Sequence, residues 1–132
     1  MKKIVPILLA SQLLVSVACA DDVVVIGNPA AAALTKEQVS DLFLGKSQGM
    51  KLFDQPSSAP IKATFYEKVS GHDLSQVKAT WSRLIFTGKA QPPKEMSDAA
   101  AVKKAVAADP KAIGYIQKSE VDPTVKVVLA LN

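Results

Sequence analysis

The chain has 132 residues, among them 16 lysines and arginines, 12 aspartates and glutamates, one histidine and one cysteine. This length fits one domain with a modest core. Lys2 and Lys3 lie in the first 20 residues, and without that segment 14 basic side chains face 12 acidic ones. The balance argues against nucleic-acid binding, for which a basic patch with exposed aromatic residues is typical.

The amino terminus has the three zones of a secretory signal peptide. Residues 1–3 are Met-Lys-Lys, residues 4–17 form an apolar stretch, and residues 18–20 are small. A membrane anchor needs about 20 consecutive apolar residues. Pro6 and several polar residues interrupt this stretch. The pattern therefore favours a cleavable signal over a membrane-spanning helix.

Cleavage is expected after Ala20, which leaves residues 21–132 as one mature domain in the periplasm with no membrane span. The less favoured alternative is a lipoprotein modified at Cys19. Ser16 lies three positions before that cysteine, where a lipoprotein signal usually has an aliphatic residue. Without Cys19 the mature chain has neither a disulfide nor a thiolate metal site.

The first half of the mature region predicts a buried strand followed by a capped helix. Residues 22–27 include a continuous β-branched run, typical of a central strand covered on both faces. Thr35 and Gln38 have the spacing of a capping box, and Gly45 can take the left-handed turn that ends this helix. A brief edge strand is predicted at residues 51–53.

Three further helices are predicted before the last strands. The second helix begins near Pro60, and the third begins at Asp73 and ends at Gly88. The inward stripe of the third helix includes Trp81, which we interpret as a core residue rather than a platform for a ligand. The fourth helix opens at residues 97–98.

Two strands are predicted near the carboxyl terminus, at residues 112–116 and 125–131. Strands therefore lie at both ends of the mature chain, with helices between them. This order favours an α/β layer structure in which the terminal strands meet in one sheet.

Residue types that catalyse reactions are scarce in the mature region. The single histidine, His72, lies between two predicted helices, where a polar loop residue is favoured over a base or a ligand. One histidine without a cluster of acidic residues does not make a zinc site. The sequence contains no P-loop, dinucleotide fingerprint or serine-hydrolase elbow. We therefore expect no enzymatic activity, no metal site and no cofactor.

The start of the second helix is the candidate binding site. Unpaired backbone N–H groups and the positive pole of a helix favour a phosphate, a sulfate or a carboxylate. Ser57 and Ser58 can supply hydroxyl donors there, and Lys62 can supply the counter-charge. The alternative is ordinary helix capping by a serine beside a solvated lysine.

Several segments together resemble the phosphate-binding proteins of ABC-type phosphate transporters, and specifically their second lobe. The segments are residues 23–29, residues 34–46 with their Leu-Phe-Leu-Gly-Lys end, and residues 109–116 with Ala-Ile-Gly-Tyr. Members of that family have two α/β lobes that close on the anion, and this chain has the length of one. The resemblance implies one lobe of a type II solute-binding fold, with a small mixed sheet flanked by about four helices.

The resemblance also implies a function. The family site in this lobe is an Arg followed by Ser-Gly-Thr at a helix start, and the matching residues 55–62 lack the Arg and the Gly-Thr pair. Ser57, Ser58 and Lys62 are the candidate substitutes. The expected function is periplasmic binding of a small oxyanion, phosphate first, with an ABC permease as a possible partner. The alternative is a non-catalytic module that kept the fold, lost the ligand and docks on an envelope protein.

Overall fold

The computed structural model describes residues 22–131, and this part of the chain folds into a mixed sheet with helices on both faces. The strands are β1 Val23–Gly27, β2 Lys51–Asp54, β3 Lys94–Glu95, β4 Ala112–Gln117 and β5 Lys126–Leu131. The helices are α1 Lys36–Phe43, α2 Pro60–Ser70, α3 Leu74–Thr87 and α4 Ala99–Ala107. The predicted signal segment and its cleavage position lie outside the described residues.

The sheet has the strand order β3-β2-β4-β1-β5. Strand β2 runs parallel to β3 and β4, whereas β1 runs antiparallel to its neighbours β4 and β5. The terminal strands β1 and β5 thus pair in one sheet, as the sequence predicted, and β5 forms one edge of that sheet. The predicted fold class, a small mixed sheet flanked by four helices, is confirmed for residues 22–131.

Strand β1 is buried along its whole length because helices cover both faces of the sheet. Val23 and Val25 belong to the larger core, which contains side chains of α1, α2 and α3. Val24 and Ile26 belong to a second core, which contains side chains of α4. Successive side chains of a strand point to opposite faces, so an unbroken apolar run suits a strand with two covered faces.

The helix ends follow the predicted capping signals at several positions. Thr35 and Asp73 each form a capping box with a glutamine three residues later. Gly45 has a positive φ of 81°, and a Cβ added there would clash with Leu84 Cδ1. A glycine is therefore required where α1 turns against α3.

Trp81 is a core residue, as the helical stripe predicted. It is 7% exposed, and its indole Nε1–H donates a 2.8 Å hydrogen bond to the carbonyl oxygen of Phe43. This bond satisfies the polar atom of a buried ring and ties α3 to the end of α1.

Within residues 22–131, no helix combines the length and the apolar content that crossing a bilayer would require.

Candidate functional site

The candidate site lies where β2 ends and α2 begins. Residues 55–59 connect the two elements, and Ala59 is the N-cap of α2 without a side-chain capping bond. A cavity of about 400 Å³ opens beside this connection. Side chains of α2, the first turns of α3 and the segment around β3 line it.

The structure brings two of the three predicted site residues together. Both serines are exposed, but only Ser57 lines the same cavity as Lys62, and Ser58 does not belong to that lining. Among the hydrogen bonds of residues 22–131, none involves the side chain of Ser57 or Ser58. The serines therefore do not cap α2, and the Ser57 hydroxyl is available to a ligand.

Two carboxylates hold the Lys62 ammonium group in place. Lys62 Nζ lies 3.1 Å from Glu95 Oε2 and 3.8 Å from Asp54 Oδ2, and its side chain is 13% exposed. The positive charge predicted for this site is present, but it is already compensated by two acidic residues. A second cation, Lys78, lines the same cavity.

Asp54 is the buried centre of the site. Tyr66 donates a 2.7 Å hydrogen bond from its hydroxyl to Asp54 Oδ2, and the hydroxyl of Tyr115 donates to Asp54 Oδ1. The backbone N–H of Gln55 donates a 2.8 Å bond to the same Oδ1 atom. A buried carboxylate is stabilised by such donors, so this network holds Asp54 in one orientation below Lys62.

The two tyrosines remain protonated donors. Burial in the first place, and the adjacent Asp54 carboxylate in the second, raise the pKa of Tyr66 and of Tyr115 far above the ordinary value. Each phenol therefore keeps its proton near neutral pH and acts as a hydrogen-bond donor to Asp54.

Sequence reasoning missed both carboxylates of the site. Asp54 directly follows the predicted edge strand at residues 51–53, and an acidic residue at the end of a strand was the signal that could have identified it. Glu95 lies in the two-residue strand β3, where the sequence analysis predicted no strand. The parallel pairing of β2 with β3 places Asp54 opposite Glu95.

His72 lies at the carboxyl end of α2, far along the helix from Ser57. Its Nδ1 atom is 2.9 Å from the carbonyl oxygen of Ser70, which indicates that Nδ1 carries the proton in this arrangement. Among residues 22–131, no group of three or more histidine, cysteine or acidic side chains could hold a metal ion.

The cavity thus offers both donors and acceptors to a ligand. Ser57 and the lysines can donate to anionic oxygens, and Glu95, whose side chain is 53% exposed, can accept a hydrogen bond. A ligand that fits this set carries negative oxygens and also a hydroxyl donor.

Several solved structures share this fold. The chain superimposes on a phosphate ABC transporter substrate-binding protein of Clostridium perfringens, described with bound phosphate, with a TM-score of 0.64 and 20% identity over 82% of this chain. An ABC-type phosphate transport receptor of Vibrio cholerae gives a TM-score of 0.63 and 18% identity over 82% of this chain. PstS of Borrelia burgdorferi gives a TM-score of 0.57 and 14% identity over 74% of this chain.

The match covers 44%, 45% and 41% of those three chains, so this chain spans less than half of their length. It has the fold of one lobe of a phosphate ABC transporter substrate-binding protein. The predicted fold of one lobe is therefore confirmed for residues 22–131, and the structural neighbours are binding proteins rather than enzymes. No protein-family model matches the sequence, and no curated protein is significantly similar to it.

Proposed function

We propose that the protein binds a small oxyanion, phosphate first, in the periplasm and in connection with ABC-type uptake. The observation that supports this proposal is the cavity at the start of α2, where Ser57 and Lys62 lie together. The proposal includes removal of residues 1–20 as a signal peptide and residues 21–132 as the working domain. An ABC permease is the proposed partner for transport.

The charges around Lys62 favour a protonated oxyanion. A fully deprotonated anion near Lys62 would also meet the carboxylates of Asp54 and Glu95, and like charges at such distances repel. Hydrogen phosphate carries an O–H group that can donate to Glu95 while its other oxygens accept from Ser57 and Lys62. Sulfate has no such proton near neutral pH, so we expect phosphate to bind more tightly than sulfate.

Binding by one lobe is expected to be weak and sensitive to salt. The cavity is open to solvent, and no second lobe is present in residues 22–131 to exclude water from the anion. Exposed charge interactions weaken as ionic strength rises. A covering partner would strengthen the complex because it would exclude water from the ion pair.

Isothermal titration calorimetry of residues 21–132 with phosphate tests the proposal. Ser57→Ala is expected to weaken binding about tenfold, the effect of losing one hydrogen bond to a charged ligand. Lys62→Ala is expected to remove the measurable heat. Ser58→Ala serves as the matched control for the serine, and Lys68→Ala, a lysine of α2 outside the cavity, serves as the control for charge.

The two controls are expected to leave the affinity unchanged, and thermal unfolding of each variant verifies that it is folded. Absence of heat with phosphate, sulfate and carboxylates, together with a partner recovered by crosslinking in the envelope, would contradict the proposal. That result would support the alternative, a docking module without a ligand.

A further inference from the structure

A second cavity, larger than the candidate anion site, lies beside the beginning of β2. Its volume is about 850 Å³. Residues 50–53 form one wall, and residues 88–92 together with Lys94, which follow α3, form the other. We call this cavity the β2 groove.

Apolar side chains form part of the lining of the β2 groove. Leu42 and Trp81 are buried, Leu52 is half-buried, and Ile85 is 52% exposed. A concave surface that combines apolar side chains with polar ones is typical of a binding surface.

The sheet edge beside the groove is incompletely paired. Strand β3 pairs only with Phe53 and Asp54, whereas Leu52 has a strand partner on the β4 side, Ile113. Residues 92–93 are a Pro-Pro pair directly before β3, and proline cannot donate a backbone hydrogen bond to a neighbouring strand. The prolines therefore prevent β3 from extending along the first half of β2.

The charged side chains that line the groove are all positive. They are Lys51, Lys89 and Lys94, and no carboxylate belongs to the lining. Lys51 forms a 2.9 Å ion pair with Asp109 outside the groove. Within residues 22–131, neither Lys89 nor Lys94 forms an ion pair, and both are exposed. A partner that covers this surface is therefore expected to supply negative charge.

We propose that the β2 groove binds an extended acidic segment of a partner protein. Apolar side chains of the segment contact Leu52 and Ile85, and its carboxylates pair with Lys89 and Lys94. The incompletely paired part of β2 suits an extended backbone, because recognition by strand addition combines an open sheet edge with pockets for alternate side chains. The acidic and apolar groups of the occupant would then alternate along its backbone.

Trp81, the only tryptophan of the chain, lines both the β2 groove and the candidate anion cavity, so the peptide titrations are carried out in phosphate-free buffer. Its fluorescence is titrated with a short peptide in which Glu alternates with Leu. Two companion peptides have Gln or Lys in place of every Glu. We expect a saturable change with the Glu peptide, weaker binding with the Gln peptide, and no binding with the Lys peptide.

The double variant Lys89→Glu, Lys94→Glu is expected to weaken binding of the Glu peptide by about tenfold or more. Lys104→Glu, Lys118→Glu makes the same change of charge at exposed positions outside the groove and is expected to leave the affinity unchanged. Circular dichroism verifies that both variants are folded. Saturating phosphate is not expected to displace the peptide. A negative result with the peptide therefore leaves the anion site untouched, and a negative result with phosphate leaves the groove proposal untouched.

Three results would overturn the proposal. The first is no binding of the Glu peptide at millimolar concentration. The second is that the Glu and Gln peptides bind the wild-type protein with equal affinity, or that the wild-type protein and the Lys89, Lys94 double variant bind the Glu peptide with equal affinity. The third is a stable dimer in sedimentation that the same double variant dissociates, since a second copy of the chain would then occupy the groove.

Discussion

At the scale of single residues, Asp54 has the strongest structural constraint in the candidate site. It is 4% exposed and accepts hydrogen bonds from two phenols and from the backbone N–H of Gln55. Tyr66 and Tyr115 are themselves buried, so their hydroxyls depend on this carboxylate for an acceptor. The aspartate therefore stabilises the fold as well as the position of Lys62.

Replacement of Asp54 by alanine is expected to destabilise the protein by about 2–5 kcal/mol, because it removes a charged acceptor and leaves buried O–H donors unsatisfied. Urea unfolding followed by circular dichroism measures the change. Glu95→Gln is the matched control. Its ion pair with Lys62 is half-exposed on the Glu95 side, and exposed pairs contribute about 0–1 kcal/mol. An equal decrease in the free energy of unfolding for the two variants would contradict the structural role assigned to Asp54.

At the scale of elements, α2 differs from α1 and α3 at its amino terminus. Thr35 and Asp73 cap α1 and α3 through their side chains, whereas Ala59 at the N-cap of α2 makes no such bond. The first turn of α2 therefore lacks the side-chain acceptor that usually occupies this position. An incoming anion could take that role, which is the physical basis of the proposed site.

Ala59→Asp is expected to have opposite effects on stability and on binding. The new carboxylate caps α2 and complements the positive pole of the helix. This is expected to raise the free energy of unfolding, measured with urea, by about 0.5–2 kcal/mol. The same negative charge repels a phosphate at the start of α2, so the calorimetric signal with phosphate should disappear. Ala59→Ser serves as the control because it supplies a cap without charge. Phosphate affinity that survives Ala59→Asp would place the anion elsewhere.

At the scale of the whole molecule, one sheet joins two cores. Strands β1 and β4 contribute side chains to the core under α1, α2 and α3 and also to the core under α4. On the α4 side, a Cβ added at Gly114 would lie 2.5 Å from Val102 Cγ1, so the absence of a side chain at Gly114 allows α4 to approach β4 closely. Because both cores share the central strands, we expect residues 22–131 to unfold as one cooperative unit.

Val102→Ala tests this cooperativity. The change removes a fully buried side chain under α4 and is expected to cost about 1–3 kcal/mol. Trp81 lies in the other core, yet its fluorescence should show the same lowered midpoint of urea unfolding as circular dichroism does. Val127→Ala, at a β5 position that is 40% exposed, is the control with little expected effect. An unchanged Trp81 transition in Val102→Ala would mean that the two faces unfold separately.

The sequence by itself determined the local features of this protein. The β-branched run of β1, the capping boxes at Thr35 and Asp73 and the helical stripe around Trp81 each depend on residues close together in the chain. Such signals can be recognised from the sequence because strand periodicity and helix capping depend on only a few neighbouring residues. Together they predicted an α/β layer structure with the terminal strands in one sheet. The mixed sheet with about four helices and the single-lobe likeness followed from the resemblance to phosphate-binding proteins.

Only the tertiary structure decided the composition of the candidate site. Glu95 is 33 residues from Lys62 along the chain, and Tyr115 is 61 residues from Asp54. The pairing of β2 with β3 and β4 brings these residues together, and no local pattern encodes that pairing. The sequence therefore predicted a free cation at Lys62, whereas long-range strand pairing surrounds that cation with two carboxylates.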